Sequence, residues 1–222
     1  MTFKTELHAH SAECSECGMF PADVVVETYI KEGYDTLVLS NHLKTYECGR
    51  LGGYEKCVDL LFEAYEKAKT AAAGRINVIL AVEVGLNVPR NDYLLFGVTR
   101  EFLEADPDLC DRTAEEVHER AKAAGMIFIQ AHPFRTGCIP ASPLHVDGYE
   151  VFNAQSDTEV NRELYTMWKD ARQDERMIDT SGSDYHGDYS SAIGGIYTEH
   201  PITTAEELLA VLKSGDYSIA SR

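Results

Sequence analysis

The chain of 222 residues has no apolar run of membrane-spanning length, about 20 residues, and this excludes a transmembrane helix. Its first residues, MTFKTELHAH, lack the apolar core of a secretory signal and pass straight into a strand-like run, so a cytoplasmic protein is expected. Positive charge is scarce: 20 Lys and Arg face 37 Asp and Glu, a formal charge of −17, and no basic tract interrupts the acidic field. Nucleic acid and acidic membranes are therefore disfavoured partners, although bound divalent cations would cancel several of those charges. Linkers, low-complexity stretches and internal repeats are also missing, so one domain over residues 1–222 is expected. The six cysteines include a single CxxC, Cys14 and Cys17, with no second one to complete a zinc ribbon. Ordinary thiols are the expectation in a cytosolic chain, but the place of this pair, just after two histidines, keeps a metal role open.

What the chain does have is a steady alternation of short apolar runs with helix signals. Seven strands are expected at Phe3–Leu7, Asp35–Ser40, Ile76–Val84, Tyr93–Val98, Met126–Gln130, Tyr149–Asn153 and Met177–Ser181. Runs such as DTLVLS and MIFIQ are too short and too uniformly apolar for anything but strands buried on both faces. Helix starts lie between them. Pro21 opens one helix, Thr113 with Glu116 and Thr204 with Glu207 form capping boxes, and Ser156 with Glu159 is expected to open a helix carrying Val160, Leu164, Trp168 and Ala171. Seven β-then-α units in succession argue for an α/β fold with a parallel sheet, closed as a seven-stranded barrel of the TIM-like kind.

The carboxyl ends of these runs carry the chemistry. His8 and His10 end the first, and residues two apart on a strand share a face. His42 follows the second run, Glu83 ends the third, His132 follows the fifth, and Asp184 with His186 follow the seventh at the same two-residue spacing. Any one of these has an ordinary structural explanation: a lone histidine is most often a cap or a satisfied core residue. Their joint recurrence at strand ends is not ordinary, because right-handed crossovers bring all those ends to one rim. A carboxylate after ILAV, as at Glu83, is costly to bury without a partner. Mixed imidazole and carboxylate ligands suit zinc, manganese or iron. Seven groups exceed the needs of one ion, so two or three divalent ions are expected, with Glu83 or Asp184 able to bridge them.

The motifs LHAHS at His8, SNHL at His42, VEVG at Glu83, AHPFR at His132 and GSDYH at Asp184, taken in this order, resemble those of the polymerase and histidinol phosphatase (PHP) superfamily. The resemblance implies a distorted seven-stranded barrel and a two- or three-metal site that hydrolyses phosphate esters. It implies that His8, His10, Glu83 and Asp184 hold a first metal, that Glu83 and His132 share a second, and that His42 and His186 hold a third. Two departures stand out. Family members often carry a further histidine at the end of strand four, where this chain has Thr99-Arg100, so the second metal is expected to lack a ligand. They also often carry an Asp or His after the HxH loop, where Glu16, or with poorer spacing Glu13, is the candidate here.

Clustered divalent ions lower the pKa of bound water to about 7, so metal-bound hydroxide is the expected nucleophile. Arg135, three residues after His132, is expected to orient the phosphate, since its planar fork suits phosphate oxygens. Lys44 and Arg50 are further substrate-binding candidates, and Asp184 and His186 join Arg135 in the catalytic set. The expected activity is hydrolysis of a small phosphomonoester or phosphodiester. A nuclease using the same site is disfavoured by charge, and an amidohydrolase-type C–N hydrolase by the lack of a strand-end lysine. A regulatory role without catalysis is the remaining reading.

Overall fold

The computed structural model describes residues 2–156, 163–167, 170, 177–187 and 192–220. The seven apolar runs become β1 (Phe3–Ala9), β2 (Thr36–Leu39), β4 (Asn77–Asn87), β5 (Arg90–Phe96), β6 (Ile127–Gln130), β7 (Gly148–Asn153) and β8 (Ile178–Gly182), hydrogen-bonded in that order. The sheet closes on itself beyond β8. Ala9 bridges Tyr185 in parallel, the His10 N–H donates to the Tyr185 carbonyl at 3.0 Å, and the Tyr185 N–H donates to the His8 carbonyl at 3.4 Å. The expected seven-stranded barrel is thus present. After a break at Ser40-Asn41, the short β3 (His42–Leu43) continues beside β4 in parallel. On the other side of β1, β9 (Ile196–Thr198) and β10 (Ser218–Ile219) add two antiparallel strands.

One strand departs from the expected all-parallel arrangement. β5 runs antiparallel to both neighbours. The reason is local: only Val88 and Pro89 separate Asn87 from its partner Arg90, and a two-residue connection can join only antiparallel strands, because a parallel return needs a crossover. The amino end of β5, not its carboxyl end, therefore reaches the rim.

Helices α1 (Ala22–Lys31), α2 (Thr45–Leu51), α3 (Tyr54–Ala72), α4 (Arg100–Glu104), α5 (Ala114–Ala123) and α6 (Ala205–Ser214) cover the sheet. The Thr113–Glu116 capping box is formed in full at α5, and the Thr204 hydroxyl accepts from the Glu207 N–H at α6. The helix expected from Ser156 and Glu159 onward falls largely outside the described residues. Strand residues divide by parity between two apolar clusters. Leu37, Leu39, Val82, Leu95 and Phe128 pack with Val25 of α1, Leu61 of α3 and Val117 of α5. Val38, Ile79, Ala81, Leu94, Phe96, Ile127 and Ile129 pack with Leu208 and Leu212 of α6. Glu83 and Asp92 continue the parity of Ala81 and Leu94, and so stand directly above this second cluster. None of the described helices is long and apolar enough to cross a membrane.

Candidate metal centre

Burial at the rim is nearly complete. His8, His10, Glu83, His132 and Asp184 are all at most 2% exposed, and His42 and His186 at most 9%. Among the described residues, three groups bring potential ligand atoms within 4.8 Å of one another: His8, His10 and Asp184; His10, His42 and His186; and Glu83, Asp92 and His132. The rings pack closely, with His10 centroids 4.3 Å from His186 and 4.4 Å from His42. All seven residues expected from the sequence therefore meet.

The backbone works to place them. His132 and Asp184 both have positive φ, 31° and 49°, a conformation that persists in non-glycine residues only where surroundings enforce it. The His132 N–H donates to Glu150 Oε2 at 2.9 Å, which anchors that turn. Glu150 also takes His8 Nδ1 on its other oxygen at 2.8 Å, so His8 is turned with Nε2 facing the centre, the carboxylate–histidine arrangement of metal ligands. Asn153 ties Glu150 Oε2 to Asp184 Oδ2, at 2.8 and 3.2 Å. Glu6 is fully buried as well. It accepts from the His8 and Ser183 N–H groups and the Ser183 hydroxyl, joining the first and last strand ends. Glu150 and Glu6 are not among the residues expected from the sequence. The signal that picked out Glu83, a carboxylate inside an apolar strand, was present in YEVFN as well.

Electrostatics follow from this packing. Burial would raise Asp184 and Glu83, but both are held well below the usual carboxylate range: Asp184 by the charge of His8 and the His10 imidazole 3.2 Å away, Glu83 by Lys44 and His42. Burial would lower His8, yet Glu150 and Asp184 hold it well above the ordinary imidazole value. Burial and Lys44 would lower His42, and Glu83 raises it to about 10. His10 goes the other way: burial, His186 and His42 push it well below the ordinary value. The cluster is a set of carboxylates whose charge must be met by cations.

His8 Nε2 and His10 Nε2 are buried and have no hydrogen-bond partner, whereas Glu83 Oε2 is already met by His42 Nε2 at 2.7 Å and Lys44 Nζ at 3.4 Å. Leaving such nitrogens unpaired costs about 1–3 kcal/mol each, and a shared cation would satisfy them together. The donors present therefore fit a divalent ion on the His8, His10, Asp184 side.

Other expectations are corrected. Thr99 caps α4 and Arg100 pairs with Asp59 and Glu104, so neither approaches the centre. The strand-four group at the rim is instead Asp92, delivered by the antiparallel sense of β5, with Oδ2 3.8 Å from His132 Nε2. Glu16 is exposed and outside all three groups, because its loop turns it outward to donate its N–H to Glu47 Oε1. Glu13, the alternative, instead accepts from the Ala22 N–H at the start of α1. The residue that does reach the histidines is Cys17, with Sγ 3.8 Å from His42 Nδ1. Burial would raise this thiol, but His186 and His42 lower it to about 6. Its CxxC partner Cys14 is buried in the apolar core, so the two do not act as a pair.

A cleft of about 910 Å³ opens beside the cluster, lined by Cys17, His42, Lys44, Asp92, Arg90, Arg135 and Cys138 among others. Arg135 donates to Asp92 Oδ2 at 2.9 Å, with Nη1 3.9 Å from Asp184. Lys44 lies 3.1 Å from Asp92 Oδ1. Arg50 is absent from the cleft wall; it is held on Glu47 at 2.9 Å. Arg90, not foreseen, stands in its place.

Comparison with known proteins agrees with this architecture. No curated protein matches the chain. Solved structures do: PsfC from Pseudomonas syringae PB-5123 aligns with a TM-score of 0.69 at 16% identity, covering 94% of this chain and 88% of that one. An amidohydrolase from Chromobacterium violaceum aligns at 0.61 and 14% identity, covering 94% and 96%. A provisional metal-dependent phosphoesterase from Bifidobacterium adolescentis aligns at 0.58 and 14% identity, covering 95% and 96%. At these identities the likeness is one of fold. The family model of the PHP domain matches residues 6–219, nearly the whole chain from β1 to β10, and the chain belongs to that family.

Proposed function

We propose that this chain is a metal-dependent hydrolase of phosphoric ester bonds, acting on a small phosphorylated molecule. The observation that carries the reading is the convergence of two buried imidazole nitrogens without a hydrogen-bond partner, His8 Nε2 and His10 Nε2, beside Asp184 and next to an open cleft walled by cationic side chains. His8, His10 and Asp184 would hold one divalent ion, and His42 and His186, with His10 close by, another. Bound ions would supply Lewis acidity for the phosphoryl group and lower the pKa of a coordinated water to about 7.

The chain's own residues do the rest. Glu150 fixes the His8 ring by its Nδ1, so that Nε2 is aimed before any ligand arrives. The His186 Nδ1 bonds the Asp184 carbonyl at 2.7 Å, which fixes that ring in turn. Arg135, half-exposed on the cleft wall and leaning on Asp92, is positioned to give its remaining N–H groups to phosphate oxygens. Arg90 adds positive charge on the same wall, and Lys44 beside it offsets the Glu83 and Asp92 carboxylates that would otherwise repel a small anion. That surface, at −17 overall, argues against long polyanions and so against a nuclease.

The test is a screen of phosphorylated metabolites with the protein stripped by chelator and reloaded with manganese, zinc or iron. Turnover should vanish on stripping and return on loading. Loaded protein that is inert to every phosphoester but cleaves amides or cyclic ureas would replace this reading with a C–N hydrolase. Faster degradation of long DNA than of any small ester would replace it with a nuclease.

A further inference from the structure

The corner formed by Glu83, Asp92 and His132 differs from the other two ligand groups in one respect: a lysine and an arginine already sit on its Asp92 carboxylate, at 3.1 and 2.9 Å. Register explains how. β3 pairs His42 with Glu83 and Leu43 with Val84, which brings the next residue, Lys44, alongside Gly85. β4 and β5 pair Gly85 with Asp92. A Cβ at Gly85 would lie 2.6 Å from Lys44 Cγ, 3.0 Å from its Cδ and 3.1 Å from Asp92 Oδ1. Only the missing side chain at Gly85 lets the lysine stem lie across β4. The stem carries Nζ to 3.4 Å from Glu83 Oε2 and 3.1 Å from Asp92 Oδ1. The other Asp92 oxygen takes Arg135 at 2.9 Å, and His132 Nε2 lies 3.1 Å from Glu83 Oε1.

Both oxygens of Asp92 are thus engaged by protein cations, whereas His8 Nε2 and His10 Nε2 have no hydrogen-bond partner. A divalent ion placed between Glu83 and Asp92 would meet an ammonium at close range, and two cations a few ångströms apart in a buried site repel strongly. We propose that the ammonium of Lys44 is the resident cation of the Glu83–Asp92–His132 corner, taking the place of a metal ion there, with Gly85 as the residue that admits it. The loaded centre then carries its divalent ions only on the side of His8, His10, His42, Asp184 and His186. Lys44 neutralises Glu83 and Asp92 permanently, leaving that side independent of metal supply.

This inference builds on the metal-dependent reading, but its test reads ion number and not activity. Wild type, Lys44→Met, Lys44→Arg and Gly85→Ala are loaded with manganese, desalted and analysed by inductively coupled plasma mass spectrometry, with circular dichroism to check folding. Lys44→Met should hold one more ion per chain than wild type, and Lys44→Arg, which keeps the charge, no more than wild type. Gly85→Ala, which displaces the lysine stem, should gain as Lys44→Met does, and it carries the test if Lys44→Met fails to fold. Equal ion numbers in wild type and the charge-removing or stem-displacing variant would overturn the proposal. If chelation left activity intact, the proposed function would fall, while the difference between variant and wild type would still decide the role of Lys44.

Discussion

The two sides of the rim are built from similar residue types and solve the same electrostatic problem differently. On one side β1, β3 and β8 supply His8, His10, His42, Asp184 and His186, and the imidazole nitrogens at the middle, on His8 and His10, are buried without hydrogen bonds. On the other, β4, β5 and the turn after β6 supply Glu83, Asp92 and His132, and Lys44 and Arg135 sit on the carboxylates. A buried carboxylate must be neutralised. As proposed, one side leaves that to a cation from solution and the other to the chain itself. A ligand set read from residue types alone would treat the two as equivalent.

The comparison can be tested, beginning where the effect is largest. Asp184→Asn removes the carboxylate at the centre of the histidine side, and hydrolysis should fall by at least about 10³-fold, about 4 kcal/mol of barrier. Steady-state kinetics on the best phosphoester, with circular dichroism unchanged, is the measurement; retained activity would mean that the histidine side is not the working one. Leu208→Ala opens a hole in the apolar cluster beneath both sides and should cost about 3 kcal/mol of stability. The melting temperature should drop with ion number per folded chain unchanged, which separates the chemistry of the rim from the stability of the barrel.

Glu150→Gln weakens the grip on His8 Nδ1, and metal affinity on the histidine side should fall by about 10–100-fold. Calorimetric titration of the stripped protein reads this; an unchanged affinity would show that His8 needs no orienting carboxylate. Arg135→Ala should raise KM by about tenfold, the loss of one charge-assisted contact, and leave the ion number as in wild type. A fall in kcat at constant KM would assign Arg135 a different task.

The smallest effect tests a carboxylate away from both sides. Glu13 accepts from the Ala22 N–H at 3.0 Å and from Lys67 at 2.9 Å. Burial would raise it, but hydrogen bonds from Ser11, Ala22 and Lys67 hold it below the ordinary value. A carboxylate lowered on folding stabilises above its unfolded pKa, and that contribution is lost as pH falls through the folded value. Glu13→Gln should therefore cost about 1 kcal/mol at neutral pH, and the difference from wild type in urea melts should vanish in acid. A difference that persists in acid would rule out the charge as its source.

Much of this was legible in the chain itself. The seven strands follow the seven apolar runs, because a short run buried on both faces has few other places to go. The capping box at Thr113 and the hydroxyl cap at Thr204 formed as expected, because each is a contact between residues three apart and needs no tertiary partner. His8, His10, His42, Glu83, His132, Asp184 and His186 met at one rim because each lies toward or just past the carboxyl end of a strand pointing the same way, and a closed barrel leaves those ends nowhere else to go. Even Glu150 could have been read from YEVFN by the reasoning that found Glu83.

What the sequence could not contain was the consequence of direction and register. Thr99 and Arg100 are in the expected place only if strand four is parallel; the two-residue turn at Val88-Pro89 reverses it and delivers Asp92 instead. Glu16 has the better spacing, but the loop's fold presents Cys17 to His42. Lys44 carries no mark of burial in its local sequence. It reaches Glu83 and Asp92 because β3, β4 and β5 lie side by side at a register that sets it against a glycine. Residue types and local periodicity are encoded in neighbours along the chain, so the sequence determined the elements, the caps and the strand ends that carry the candidate ligands. Which cation answers which carboxylate depends on residues brought together across three strands, and only the tertiary structure decides that.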